Sequence, residues 1–466
     1  MKRLGTIPSW LWFVPLPAVA LYLVSPMFQA SFGPIDDHEI PALLGRSGHL
    51  VWDAVPGTIA RLAISYDTGR WRPFYWLVRV SELATWGPNA TGWYLDRLAL
   101  LLATMLGASA LALRYVSAPL AALAALLVAA GPQAESWFRL GPQEAIGTPL
   151  LLVGLALIVW GRTGSGLVLV VLAALTKESF IPFALATCFV GWRKGARLGS
   201  SIAAMATLAT AVWIAYLHLM RPDFYRQART ISDVGSTLFQ WGLATWHGTR
   251  WPLILLAGLV IGWRPRWELV TAAVVLVGAE AYLYAGIQAG RYLMPVGLVV
   301  IAATVGSLSF VSRRSIGLCA LLTVVVAVSA IGAINGQRTA AKTRAAGQLE
   351  WNAGIGELRD VLASDPSATI VVVPRRVWNY EPIFSLRRFV QEGRAMVAPT
   401  ALDAVTVREQ DLRGQLGELS RSGWTDAIAA GISYAPWAPP SDCVAVVFEG
   451  SPADDHCPRT VVIPVR

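Results

Sequence analysis

Residues 316–336 read Ile-Gly-Leu-Cys-Ala-Leu-Leu-Thr-Val-Val-Val-Ala-Val-Ser-Ala-Ile-Gly-Ala-Ile-Asn-Gly, a run with no charged side chain. A helix of about 20 apolar residues spans the roughly 30 Å hydrocarbon core of a bilayer and keeps every backbone hydrogen bond inside itself. Working outward, further segments of the same character are found at 8–28, 93–114, 117–133, 146–161, 164–178, 180–193, 200–220, 250–263, 268–287 and 292–311. The expectation is a polytopic α-helical membrane protein with about 11 transmembrane helices. The pair 164–178 and 180–193 is short, and Lys177-Glu178 and Pro182 interrupt what otherwise reads as one long hairpin.

The composition agrees. Of 466 residues, 55% are hydrophobic and 14% charged, against about 25% charged in soluble domains. A soluble chain of this length still needs a charged surface. A cytosolic enzyme, a disordered chain and a coiled-coil or collagen-like rod are therefore excluded. The net charge of +9 comes from basic residues clustered in short turns, where they set orientation and meet anionic lipid. No basic block carries interleaved aromatics, so nucleic acid is not an expected partner. The many tryptophans near segment ends, such as Trp10, Trp93 and Trp263, read as an interfacial belt.

With a cytoplasmic N-terminus, the cytoplasmic stretches are Lys2-Arg3, Arg114, Arg162, Arg193-Lys194-Arg197, Arg264-Arg266 and Arg313-Arg314. Each is positive, as the positive-inside rule requires. The opposite side then holds the long loop 29–92, the loops 134–145 and 221–249, the turn around Arg291, and residues 337–466. The first segment lacks a clean small-x-small cleavage site and reads as a retained helix rather than a signal peptide. The expected localisation is the cell (inner or plasma) membrane, multi-pass, with an extracytoplasmic C-terminus.

Residues 1–336 thus form a transmembrane module, and 337–466 a small extracytoplasmic α/β domain. In that domain, 368–373, 444–448 and 461–465 are β-branched runs, and 350–363 and 408–421 have helical spacing with mixed charge. Cys188 and Cys319 fall inside apolar segments and read as small buried hydrophobes. Cys443 and Cys457 lie in the outer domain, where a disulfide between them would contribute roughly 3 kcal/mol in the chain-entropy model and agrees with an oxidising compartment. No phosphate-binding loop, dinucleotide fingerprint or zinc-protease motif occurs.

The distinctive polar feature is Asp36-Asp37-His38-Glu39, just after the first segment. Three carboxylates and an imidazole beside a bilayer are costly unless hydrated, paired or used. A solvated turn after Gly33-Pro34 is the plain alternative. On the assigned topology, however, other ionisable residues share this membrane face: Arg70 and Arg72 closing the long loop, Glu135, Arg139 and Glu144 in the second outer loop, Lys177-Glu178, and Arg291. Acids and cations converging there point to a site for an anionic, lipid-anchored substrate.

An acidic pair after the first helix, the Arg72-Pro-Phe-Tyr-Trp run, Lys177-Glu178 at a helix end and Arg291-Tyr-Leu-Met-Pro late in the bundle resemble the GT-C class of membrane glycosyltransferases. That class includes protein O-mannosyltransferases, lipid A aminoarabinose transferases and cell-wall arabinosyltransferases. The resemblance covers the membrane part, roughly 1–336; the C-terminal domain matches in position alone. It implies transfer of a hexosyl or pentosyl group from a polyprenyl-phosphate carrier to a glycan, lipid or protein acceptor outside the cytoplasm. Carried over by position, Asp36 or Asp37 is the general base, Asp36 being the first acid of the pair. Arg72, Lys177, Arg291 and Arg139, with Glu144 and Glu178, are the substrate and lipid-phosphate residues. The class usually places an acidic or small residue after the aspartates where this chain has His38. His38 and Glu39 as ligands of a divalent cation, and His38 as a loop-surface residue, both remain open.

Rival readings are a transporter or flippase of a lipid-linked or polar substrate, a glycan polymerase or ligase, and an inactive scaffold. A transporter needs ionisable residues inside spans and often inverted repeats. This chain keeps its charges at segment ends, Glu280 being the main exception, and shows no repeat.

Overall fold

The computed structural model describes residues 8–34, 40, 50–64, 71–220, 230–285, 290–365, 369–373, 405–407, 443–448 and 458–463. Among these, each expected apolar segment falls on a helix. The first lies in the helical stretch Ser9–Gln29, which contains α1 (Pro15–Val24). There follow α4 (Ala90–Ala112), α5 (Ala118–Ala129), α6 (Glu144–Val159), α7 (Thr163–Ala174), α8 (Ile181–Arg193) and α9 (Arg197–Met220). The last four are α11 (Trp251–Val260), α12 (Trp267–Leu283), α13 (Met294–Arg314) and α14 (Ile316–Ser364). Five of the described helical stretches are long and apolar enough to cross a bilayer unaided: Ser9–Gln29, α4, Arg197–Leu217 of α9, Gly290–Arg314 and α14. The helices α5, α6, α7 and α11 are apolar but shorter.

The loops between these segments hold helices that the apolar pattern does not mark. Within the long loop 29–92 lie α2 (Val55–Ile64) and α3 (Pro73–Trp86). The stretch expected as the loop 221–249 contains α10 (Ile231–Thr249), opened by a capping box in which Thr230 accepts from the Asp233 amide and Asp233 accepts from the Thr230 amide. Such a box satisfies two of the orphan donors at a helix start.

Small residues let helices approach closely where lipid supplies no hydrophobic drive between them. The α6–α7 contact shows this: a Cβ on Gly154 would lie 2.8 Å from the Gly166 carbonyl oxygen, and one on Gly166 would lie 2.5 Å from that of Gly154. The main apolar core joins α1, α4, α5, α13 and α14, and a second gathers α6 to α9.

Helix α14 is 49 residues long, about 74 Å at 1.5 Å per residue, more than twice the hydrocarbon thickness. The residue 336 taken as the end of the membrane module lies inside it, as does the helical stretch expected at 350–363. Its buried residues Leu322, Val326, Ala330, Ile334, Ala341 and Ala345 form one stripe. Its polar far half then carries Trp351, Ile355, Leu358 and Leu362 against Val444, Val446, Val461 and Ile463. Those last residues belong to a parallel sheet in the order β2 (Val405–Val407), β1 (Thr369–Val373), β3 (Cys443–Phe448), β4 (Arg459–Ile463). Three of these strands match the expected β-branched runs within two residues at their starts. No disulfide occurs among the described residues: Cys188 and Cys319 are free and buried, Cys443 opens β3, and Cys457 lies outside the described residues, as does the stretch 408–421.

Candidate active site

Pro73 starts α3 and holds Arg72 out of the helical region at φ −134°, ψ 62°, as residues before proline prefer. The Phe74 amide donates to the Leu175 carbonyl at 3.2 Å, tying the start of α3 to the end of α7. Arg72, 4% exposed, then donates from Nη2 to both Glu178 oxygens (2.7 and 2.9 Å) and from Nε to Oε2 (3.1 Å). This two-nitrogen geometry is the strong form of an arginine–carboxylate pair.

Lys177 precedes Glu178 in extended backbone between α7 and the short turn Glu178–Phe180. Its ammonium pairs with Glu144 Oε1 at the start of α6, both side chains being buried. It also lies 5.0 Å from the Tyr284 ring centre and 4.4 Å from that of Tyr292, within cation–π range. The two tyrosines stack at 4.4 Å. Arg291, in the turn Gly290–Leu293, lies 5.1 Å from the Tyr292 ring centre. Glu280 on α12 is fully buried and interacts electrostatically with Lys177, Glu144 and Glu178.

Beside this cluster is a cavity of about 820 Å³. Gly290 and Leu293 line it while Tyr292, between them, meets Lys177. Arg139, ion-paired to Glu135, lines a second wall and Arg344 of α14 a third. One turn further along α14, Gln348 meets Tyr94 at 3.3 Å and packs against Gly33, and Asn352 donates to the Phe32 carbonyl at 2.8 Å. The chain leading into Asp36-Asp37 is thereby anchored one helical turn from the cavity wall.

A buried brace supports the loop 134–145. Arg97 donates to Glu82 at 3.1 Å and Arg79 to Glu82 at 3.3 Å, and both arginines donate to the Leu140 carbonyl. Leu140 follows Arg139 and lies four residues before Glu144, so α3 and α4 fix the loop that presents both.

Two crystal structures of ArnT from Cupriavidus metallidurans are similar to this chain. The one bound to undecaprenyl phosphate is 14% identical, with a TM-score of 0.55 over 92% of this chain and 90% of that one. The apo structure is 15% identical, with a TM-score of 0.53 over 91% and 89%. The chain shares the fold of these ArnT structures. The chain is accordingly a multi-pass integral membrane protein. No family model matches, and no curated protein does.

Within this fold, Arg72, Glu178, Lys177 and Glu144 form one cluster, with Arg291 joined to it through Tyr292 and Arg139 on the adjoining cavity. Asp36, Asp37, His38 and Glu39 lie outside the described residues. The sequence reading passed over Tyr284 and Tyr292 and took Glu280 as an exception rather than a site residue. Part of the signal was present: Tyr284 caps the end of α12 with its amide on the Glu280 carbonyl at 3.0 Å, and a lone carboxylate inside an apolar span marks function by default.

Proposed function

We propose that this protein is a glycosyltransferase that moves a hexosyl or pentosyl group from a polyprenyl-phosphate carrier to an acceptor hydroxyl at the outer face of the membrane. The observation that carries this reading is the convergence of Arg72, Lys177 and Arg291, from three separate turns, beside a cavity near which Phe32 and Gly33, a few residues before Asp36-Asp37, are held by α14. The ArnT structure of the same fold was crystallised with undecaprenyl phosphate, which supports a polyprenyl-phosphate carrier here.

In this reading, Asp36 or Asp37 takes the proton of the acceptor hydroxyl as its oxygen attacks the anomeric carbon. The bond from that carbon to the phosphate oxygen breaks on the opposite face, and the configuration inverts. The electron pair leaves with the polyprenyl phosphate, whose charge is met by cations already oriented by their glutamate partners. Residues 1–336 serve as the catalytic module, with the N-terminus cytoplasmic and residues 337–466 outside. The transport alternative drew on Glu280, but its electrostatic neighbours assign it to the same cluster.

The test is transfer from a panel of radiolabelled polyprenyl-phosphate sugars by the purified protein. Asp36→Asn or Asp37→Asn is expected to lower the rate by about 10²–10⁴-fold, the range for a lost general base. Equal turnover by both variants and the wild type removes the base assignment, and no transfer from any donor by the wild type removes the function.

A further inference from the structure

The polar cluster holds more acceptors than its own donors use. Both oxygens of Glu280 are buried and without a hydrogen bond, and so is Oε2 of Glu144, whose other oxygen takes Lys177. One turn beyond Glu280, the buried Tyr284 hydroxyl is likewise without a partner. A buried carboxylate left unpaired costs far more than it contributes to folding. A cluster of this kind is therefore complementary to something that enters it.

The chemistry of the unmade bonds selects the ligand. Glu144 Oε2 accepts, the Glu280 carboxyl group offers two unpartnered oxygens, and the tyrosine hydroxyl accepts or donates. A phosphate brings acceptors of its own and negative charge, so it is mismatched here; a ring bearing several hydroxyls brings donors. Packing links the spot to the cavity: Trp241 and Leu293 line the 820 Å³ cavity and pack in one apolar cluster with Tyr284 and Tyr292.

We propose that Glu280, Glu144 Oε2 and Tyr284 form a subsite for the hydroxyl groups of the carried sugar, next to the Lys177 cation that meets its phosphate. This rests on the glycosyl-transfer reading and assigns the part of the site that distinguishes a loaded carrier from an empty one. Glu280 and Tyr284 bind and position; the proton is taken elsewhere.

The experiment compares binding of undecaprenyl phosphate and of undecaprenyl-phosphate sugars to the full-length protein in detergent. Wild type, Glu280→Gln and Tyr284→Phe are measured side by side. The expected result is tighter binding of a sugar-bearing lipid by the wild type. Each variant loses roughly tenfold of that preference, the scale of one lost hydrogen bond to a charged group, while affinity for the bare lipid phosphate stays unchanged. Both substitutions conserve shape, and bare-lipid binding reports that each variant is folded. A variant preference equal to that of the wild type overturns the subsite, and so does an equal loss for both lipids, which marks a purely structural role. A wild type that binds neither lipid overturns the glycosyl-transfer reading, and the subsite falls with it. A wild type that binds both lipids equally overturns the subsite alone.

Discussion

Lys177 and Glu144 come from helix ends 33 residues apart and are both almost wholly buried. In such a pair the desolvation of two charges is offset by their attraction, and removing one partner leaves the other uncompensated. Lys177→Met should therefore lower stability by about 3–5 kcal/mol, read as a fall in unfolding temperature of the detergent-purified protein. Adding Glu144→Gln should restore part of that loss, because Glu144 is then no longer a stranded charge, while the contacts of Lys177 with Glu280 and the two tyrosines stay lost. An unchanged midpoint in the single variant would show that the pair contributes nothing. At this scale the sequence marks Arg72, Glu144, Lys177, Glu178 and Arg291 as ionisable residues at segment ends, but not who meets whom. Arg72 and Glu178 are 106 positions apart, and no local spacing rule links them. Glu280 shows the opposite case, a residue visible in sequence as an anomaly whose meaning depends on the charges brought to it.

Helix positions were legible because a bilayer demands long apolar runs and the chain supplies them. Helix α10 was missed because Ile231–Thr249 mixes Ser, Thr, Asp and Gln among its apolar residues, so a search for spans passes over it. The Thr230–Asp233 box that starts it is a local signal of another kind. Close packing between elements makes its own prediction. Gly166→Ala places a methyl group 2.5 Å from the Gly154 carbonyl oxygen and 2.6 Å from Ile158 Cγ1, forcing α6 and α7 apart. Overpacking of this sort should cost about 1–3 kcal/mol. Gly164→Ala, two residues earlier on the same helix with nothing within 4 Å, should cost nothing and is the control. Equal thermal stability of the two variants would show that this contact does not hold the helices together.

For the molecule as a whole, the reading depends on which face of the membrane each end occupies. Thr339 on the extended part of α14 and Arg162 before α7 are both exposed and are assigned to opposite sides. An impermeant thiol reagent applied to intact cells should label Thr339→Cys and should label Arg162→Cys once the membrane is permeabilised. The reverse pattern would turn the molecule over and move the acidic segment, the cations and the sheet to the cytoplasm together. What the sequence by itself determined was the membrane class, the placing of the apolar helices, and a strand-forming C-terminal region. Each follows from local composition read against the solvent, since a residue's cost in hydrocarbon depends little on distant residues. Only the tertiary structure decided that α14 runs unbroken from the bilayer to the sheet, that Lys177 meets Glu144 under two tyrosines, and that Glu280 belongs to that cluster. Those facts depend on contacts between segments far apart in the chain, and such contacts are set by how helices pack, which no single stretch of sequence records.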